Sequence, residues 1–296
     1  MNSSPESLQS TGKPPAIFLS ANRKYAGFVN NLLRSIDRNV PNYPDIFIAT
    51  ADDMRSDDIW NNDKRIHLID NTINSTQLSR LRYHEWINPS VYYGRLMPFQ
   101  DHQSFSRYGN MLYLDADTVV CGDIHPLLAR PWFFQVASPN PNYSPFHTDP
   151  KDLHHDTRRL CLDGKGKWKP ELLWNSGVMI IPEALRNDET HGELMRIQQE
   201  YGGHFQYADQ SLFAFWMAKH GIKPTAESQW NYMGTLLRNL KRNNTTPSYT
   251  PVAPEKALIY HTTTGYRQKR GRIEAALVAE LGPKIASTIF NIIPRF

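Results

Sequence analysis

Apolar residues along this chain fall into short blocks with two different periods. Ala16-Ile-Phe-Leu-Ser20, Asp45-Ile-Phe-Ile-Ala-Thr50 and Arg65-Ile-His-Leu68 are compact apolar runs of strand length. Between the first two, Tyr25 to Asp37 carries Phe28, Leu32, Leu33 and Ile36 at helical spacing, which predicts a helix with one apolar face. Pro41 and Pro44 punctuate the entry to the second strand. Ser90 to Phe99 predicts another helix, leading to a strand at Met111-Leu-Tyr-Leu114. Strands alternating with helices predict a parallel sheet with crossover helices, whose ligands sit at the carboxyl ends of the strands.

The pattern then changes. Ser138 to Pro170 is polar and proline-rich with little periodicity, a long excursion of the kind that is functional or disordered. Beyond it, Gly177-Val-Met-Ile-Ile181 reads as a core strand, Asp209 to Lys219 as a helix, and Ala257-Leu-Ile-Tyr260 as a last short strand. Residues 1–15 read as a disordered leader, 16–265 as one catalytic domain with 138–170 inserted, and 266–296 as a basic and apolar tail with helical stretches. The leader has no apolar core of a signal peptide, and no stretch is long enough to span a membrane. A cytoplasmic location is therefore expected, with the tail as a candidate for peripheral membrane contact. A net charge of +4 over 296 residues is too mild to indicate a nucleic-acid partner. Cys121 and Cys161 make no disulfide framework and no Cys-x-x-Cys pair.

Candidate chemistry starts at Asp115 and Asp117, which follow the Met111–Leu114 run directly. In an extended segment positions i and i+2 share a face, so both carboxylates point the same way at a strand end. Their mutual repulsion calls for a cation between them, and such a cation suits the gripping of phosphate. Three further blocks carry polar groups beside apolar runs. Asn175-Ser-Gly177 reads most plainly as a turn before a strand, and otherwise as an amide and a hydroxyl aimed at a sugar. Asp209 reads most plainly as the N-cap of its helix, and otherwise as a carboxylate beside the Gln210 amide in a cleft. His261 follows the last strand, and an imidazole joined to carboxylates suits Mn2+, with Mg2+ the weaker candidate.

Order and spacing of these blocks resemble retaining glycosyltransferase family 8, which includes glycogenin and bacterial lipopolysaccharide galactosyl- and glucosyltransferases. The likeness is carried by Tyr93-Gly-Arg95, Met111 to Ile124, Trp174 to Pro182, Ala208-Asp-Gln-Ser-Leu212, Trp230-Asn-Tyr232 and His261. It implies an α/β fold of the GT-A type, with a Rossmann-like mixed central sheet flanked by helices, an acceptor-side insertion and a helical tail. It further implies that Asp115, Asp117 and His261 bind Mn2+ across the diphosphate of a UDP-sugar. Ser20, Asn22 and Tyr25 would hold uracil and ribose, Arg95 would reach the donor, and Asn175, Asp209 and Gln210 would surround the transferred sugar. Gly265, Arg267 and Lys269 would close over the phosphates. The acceptor would be a glycan, glycolipid or protein, with Tyr143, Phe146, Trp168 and nearby histidines of the insertion available to meet it. The family usually reads His, two residues, Gly, two residues, Lys-Pro-Trp after the last strand. Here Gly265 and Lys269 come late and Pro-Trp is missing.

Two other readings fit part of the pattern. An apolar strand followed by Asp-x-Asp-x-Thr is also the signature of haloacid-dehalogenase-like phosphatases, but no Gly-Asp-x-x-x-Asp element follows. A catalytically inactive nucleotide-sugar-binding protein would carry the same blocks, because fold does not entail activity.

Overall fold

In the computed structural model the described residues are 12–50, 54–59, 63–71, 73, 91, 93–100, 103–130, 134–141, 144–147, 149–169, 172 and 174–262. Among these residues eight strands form two sheets: β1 (Ala16–Ala21), β2 (Ile46–Thr50), β3 (Ile66–Asp70), β4 (Met111–Leu114), β5 (Thr118–Val120), β6 (Phe134–Ala137), β7 (Trp174–Ile181) and β8 (Ile259–His261). The main sheet has the order β3-β2-β1-β4-β7-β6. Strands β1 to β4 run parallel, and β7 lies antiparallel to both β4 and β6, so the sheet is mixed. Strands β5 and β8 form a separate antiparallel pair.

Because β1, β2 and β4 are covered on both faces, they read as continuous apolar runs and not as alternations. One core layer contains Phe18, Phe99, Tyr113, Met179, Phe213 and Trp216. The other contains Ile17, Leu19, Leu112, Leu114, Val178 and Ile180, set against the apolar face of α1 (Ala26–Asn39). Successive residues of one strand thus feed opposite layers, as the pleat requires.

Several elements depart from the sequence expectation. The Asn175-Ser-Gly177 block is not a turn: β7 starts at Trp174 and runs straight through it. His261 is the last residue of β8 and not the residue after it. Around Arg95 the expected α-helix is a 3-10 helix, Gly94–Phe99, tightened where Pro98 cannot donate an i−4 bond. The excursion holds a short helix, α3 (His155–Cys161), after the four-residue α2 (His125–Leu128). Phe146 stacks on Trp168 with ring centroids 5.2 Å apart and is buried against Phe205 and Phe215, so it serves packing and offers no face to a sugar. Tyr143, the leader's residues 1–11 and the tail lie outside the described residues. Among the described residues no helix is long and apolar enough to cross a membrane.

Three helices close the fold: α4 (Asp188–Tyr201), α5 (Ala208–Lys219) and α6 (Gly234–Arg242). Helix α5 is buried from Ser211 to Met217 on every side, the mark of a helix enclosed by protein. Glu193 of α4 ties its far end in place, accepting from Trp216 Nε1 (2.8 Å), Lys219 Nζ (2.7 Å) and His220 Nε2 (2.8 Å). Burial pushes the Glu193 carboxyl up, and the Lys219, His220 and Trp216 donors more than reverse that, holding it at about 2 against an ordinary 4.5. A depressed folded-state value stabilises the fold above the unfolded value and is lost as pH falls through the folded one. Urea midpoints of the native chain should therefore drop from pH 4.5 towards 2 more steeply than those of Glu193→Gln. Parallel curves for the two proteins would show that this cluster does not anchor α5.

Candidate active site

The chain turns sharply after β4. Asp115 donates its N–H to Gly177 O (2.8 Å) and accepts from the Thr118 N–H (3.0 Å), so the turn delivers the chain into β5. There Thr118 pairs with His261 across the small sheet. Thr262 then fastens the two segments together, its N–H and Oγ1 both donating to Asp117 O at 3.1 and 3.0 Å. This double crossing brings residues about 145 positions apart face to face.

At the crossing, ligand atoms of Asp115, Asp117 and His261 lie within 4.8 Å of one another. His261 Nε2 is 3.2 Å from Asp117 Oδ1 and 3.6 Å from Asp115 Oδ2. Burial pushes the Asp117 carboxyl up, but the His261 imidazole beside it holds it below the ordinary range. For His261 burial lowers the value, and Asp117 and Asp115 more than reverse it. Two carboxylate oxygens and one imidazole nitrogen converging on one point fit a divalent cation of the Mn2+ kind. Gly177 makes room for the third ligand: a Cβ there would collide with the His261 ring.

Beside this trio sits a buried ion-pair network. Arg95, 5% exposed, reaches Asp115 Oδ1 with Nη2 at 2.8 Å and Asp209 Oδ2 with Nη1 at 2.6 Å. The same Nη1 donates to Ser176 Oγ, and the guanidinium lies 4.8 Å from the centre of the Tyr113 ring. Tyr113 also donates its hydroxyl to Asp115 Oδ1 at 2.8 Å. Asp209 is 1% exposed, and burial pushes its carboxyl up to about 7 even though Arg95 pulls it down. It is not the N-cap: Tyr207 holds the cap position, and Asp209 is inside the first turn with its side chain on Arg95. The preceding Ala208 has φ +44°, a left-handed conformation that few residues other than glycine adopt, so the entry to α5 is strained where Asp209 and Gln210 are presented.

Amides line the next part of the site. Asn175 Nδ2 donates to Gln210 Oε1 at 3.1 Å, and Ser176 N–H reaches the same oxygen at 3.4 Å. Asn175 Oδ1 accepts from Gly177 N–H at 3.0 Å and from Asn231 Nδ2 at 2.7 Å. The expected trio Asn175, Asp209 and Gln210 is therefore brought together. Ser20 and Asn22 lie at the carboxyl end of β1, and the pairing of Phe18 with Tyr113 sets that end level with Asp115. Ser20 Oγ is buried without a hydrogen-bond partner among the described residues. Asn22 has a structural task, its Oδ1 accepting from Lys24 N–H at 3.1 Å to cap the 3-10 turn Arg23–Tyr25. Tyr25 is half-buried, its ring 6.2 Å from that of Phe28. Gly265, Arg267 and Lys269 lie outside the described residues.

Asn231 is the participant that carries no assigned role in the sequence. Its only signal there is the Trp230-Asn-Tyr232 block, which names no chemistry. Tyr113 escapes notice for another reason, since it reads as one more apolar position of a core strand.

Comparison with known proteins places this arrangement. The family described as Glycosyl transferase family 8 matches residues 16–261. Among solved structures, the galactosyltransferase LgtC in complex with donor and acceptor sugar analogs matches with a TM-score of 0.58 and 17% identity, over 94% of this chain and 95% of that one. The glycosyltransferase GlyE of Streptococcus pneumoniae matches at 0.56 and 17% identity, over 94% of this chain and 62% of that one. Mouse xyloside xylosyltransferase 1 matches at 0.57 and 13% identity, over 87% and 99%. At such identities the likeness is one of fold, and it is the GT-A fold. No curated protein matches the chain.

Proposed function

Because the chain belongs to glycosyl transferase family 8 and is thus a glycosyltransferase, we propose that it moves a hexose from a UDP-sugar to a glycan, glycolipid or protein acceptor, with retention and with Mn2+ as cofactor. The observation that carries this reading is the convergence of Asp115, Asp117 and His261 beside the buried Arg95–Asp209 pair. Membership of the family also sets aside the phosphatase alternative.

Asp115, Asp117 and His261 would hold the cation, which when bound supplies positive charge for a departing diphosphate. Ser20, Asn22 and Tyr25 are the proposed uridine contacts, the unsatisfied Ser20 hydroxyl being the best placed for a new partner. Arg267 and Lys269, with Gly265, are proposed to close over the phosphates. Cleavage of a sugar–phosphate bond leaves oxocarbenium character on the sugar. Asp209 can face that charge, and the Asn175 and Gln210 amides can fix the sugar hydroxyls.

Retention needs either a nucleophile on the protein or attack from the face the diphosphate leaves. Asp209 Oδ2 is held by Arg95, and Gln210 Oε1 is occupied by Asn175 and Ser176 donors. Hydrogen bonds on the attacking atom lower its nucleophilicity, which favours front-face attack guided by the departing phosphate.

A panel of UDP-sugars tests the reading without knowledge of the acceptor. One UDP-hexose should release UDP faster with Mn2+ than with Mg2+ or EDTA. Tight UDP binding without turnover of any sugar would point to the inactive binding protein instead.

A further inference from the structure

We infer that Asn231 is the positioning residue that decides which nitrogen of His261 faces the cation, and that it takes its own orientation from a chain of amides that starts at a backbone N–H. This rests on the reading of Asp115, Asp117 and His261 as cation ligands.

The direction of every bond follows from one group that can only donate. The Gly177 N–H lies 3.0 Å from one side-chain amide atom of Asn175, so that atom is the oxygen. The nitrogen of the same amide then faces Gln210, whose Oε1 accepts at 3.1 Å. Asn231 approaches the Asn175 oxygen at 2.7 Å and must do so with its nitrogen. Its oxygen is left for His261 Nδ1, 3.0 Å away. An oxygen that only accepts requires a proton on Nδ1. A neutral imidazole so arranged keeps its lone pair on Nε2, the nitrogen turned to Asp115 and Asp117. A metal-ligating histidine generally gives its other N–H to an acceptor that fixes tautomer and ring plane, and an asparagine in that place does so without adding charge.

The position is built for this task. Asn231 is fully buried. Tyr232, the next residue, donates its N–H to Ile259 O at 2.9 Å and accepts from the His261 N–H at 2.9 Å. The backbone just after Asn231 is therefore clamped to β8 next to His261. On its other flank the ring lies over Gly177, where a Cβ would strike it. On its Nδ1 side His261 is thus held by the Asn231 amide and by the space that Gly177 leaves, and the same amides run on to Gln210.

Asn231→Leu removes both halves of the bridge at similar volume, and Asn231→Asp keeps the acceptor for Nδ1 but loses the donor to Asn175. Mn2+ binding to the full chain, read by the electron paramagnetic resonance of free Mn2+ with UDP present, separates them. N231L should weaken Mn2+ by about 10–100-fold, the usual cost of losing such a partner. N231D should bind Mn2+ close to native strength while its turnover falls, because Gln210 and Asn175 lose their fixed orientation. A merely structural role would lower the melting point of both variants and leave the Mn2+ affinity of the folded fraction unchanged, which overturns the inference. Equal Mn2+ losses in both variants overturn it too. Should N231L fail to fold, Asn231→Ala takes its place, since it too lacks the acceptor for Nδ1: weakened Mn2+ binding there beside native binding by N231D supports the assignment, and native affinity in both refutes it. Asp117→Asn in the same titration keeps the two levels apart, since native Mn2+ binding there would mean that the ligand assignment itself is wrong.

Discussion

Asp117→Asn should abolish Mn2+-dependent UDP binding and lower sugar transfer by about 1,000-fold, with little change in thermal stability. The size follows from the job proposed for the site. Charge neutralisation at a leaving diphosphate by a bound cation is worth several kcal/mol, and each ~1.4 kcal/mol is tenfold in rate. An amide keeps the shape of the carboxylate but offers a neutral oxygen to the cation. It also removes the charge that faces His261 Nε2 at 3.2 Å. The fold should tolerate this, because Asp117 is fastened through its backbone carbonyl to Thr262 and needs no carboxylate for that. Asp115→Asn should behave alike in binding and transfer. Isothermal titration of UDP with and without Mn2+, next to a melting curve, makes the check. Near-native transfer by either variant would refute the cation site.

Arg95→Met should produce the largest loss of stability, about 3–5 kcal/mol, the cost of breaking a buried charge pair from one side. Among the described residues its guanidinium is the one cation within ion-pair reach of Asp209, and it binds Asp115 as well. Without it, two carboxylates share a buried pocket with no positive partner between them. The sign of the pH dependence is fixed by Asp209, already raised to about 7 by burial. Arg95 lowers that value, so its removal lifts it further. A carboxyl whose folded value is raised costs nothing below its unfolded value; the cost grows between the two values and levels off above the folded one, so the variant and the native chain part where native Asp209 ionises. Arg95→Met should therefore be hurt most above pH 7 and approach the native chain under mild acid. Adding Asp209→Leu should recover much of the stability and none of the activity. Urea unfolding at several pH values tests all three statements, and a flat difference between native and variant across pH would show that Asp209 is not the charge left behind.

Much of the fold is legible in the order of the residues. The runs at Ala16, Ile46 and Met111 form strands because each is apolar on both faces, the half-buried run at Ile66 pairs with them at the sheet edge, and the helical spacing of Leu32, Leu33 and Ile36 places α1 over the sheet. Helices α4 and α6 are harder to see, since α4 is polar along most of its length and α6 is short. Strand β7 hides its first residues for a related reason. Asn175 and Ser176 are polar because they face the site, yet their backbones belong to a strand whose first residue, Trp174, pairs with Ala137 of β6. A polar residue in a functional strand looks like a loop when only its side chain is read.

The same contrast runs through the site. Asp115 and Asp117 are local, but they converge through the turn after β4, closed by the Thr118 N–H on Asp115 O, and not through the alternation of an extended segment that the sequence suggests. Their partners are not local. Arg95 comes from a 3-10 helix, His261 from a strand in another sheet, and Asp209 from the strained entry to a buried helix. By itself, then, the sequence determined the blocks that carry the family resemblance and the neighbouring carboxylates, because residue identity and apolar runs are properties of short segments. Only the tertiary structure decided that Arg95 bridges Asp115 to Asp209 and that Asn231 stands behind His261. Those contacts are made by residues from about 20 to more than 110 positions apart, and only the packing of α5 and β8 against the sheet brings them within hydrogen-bond reach.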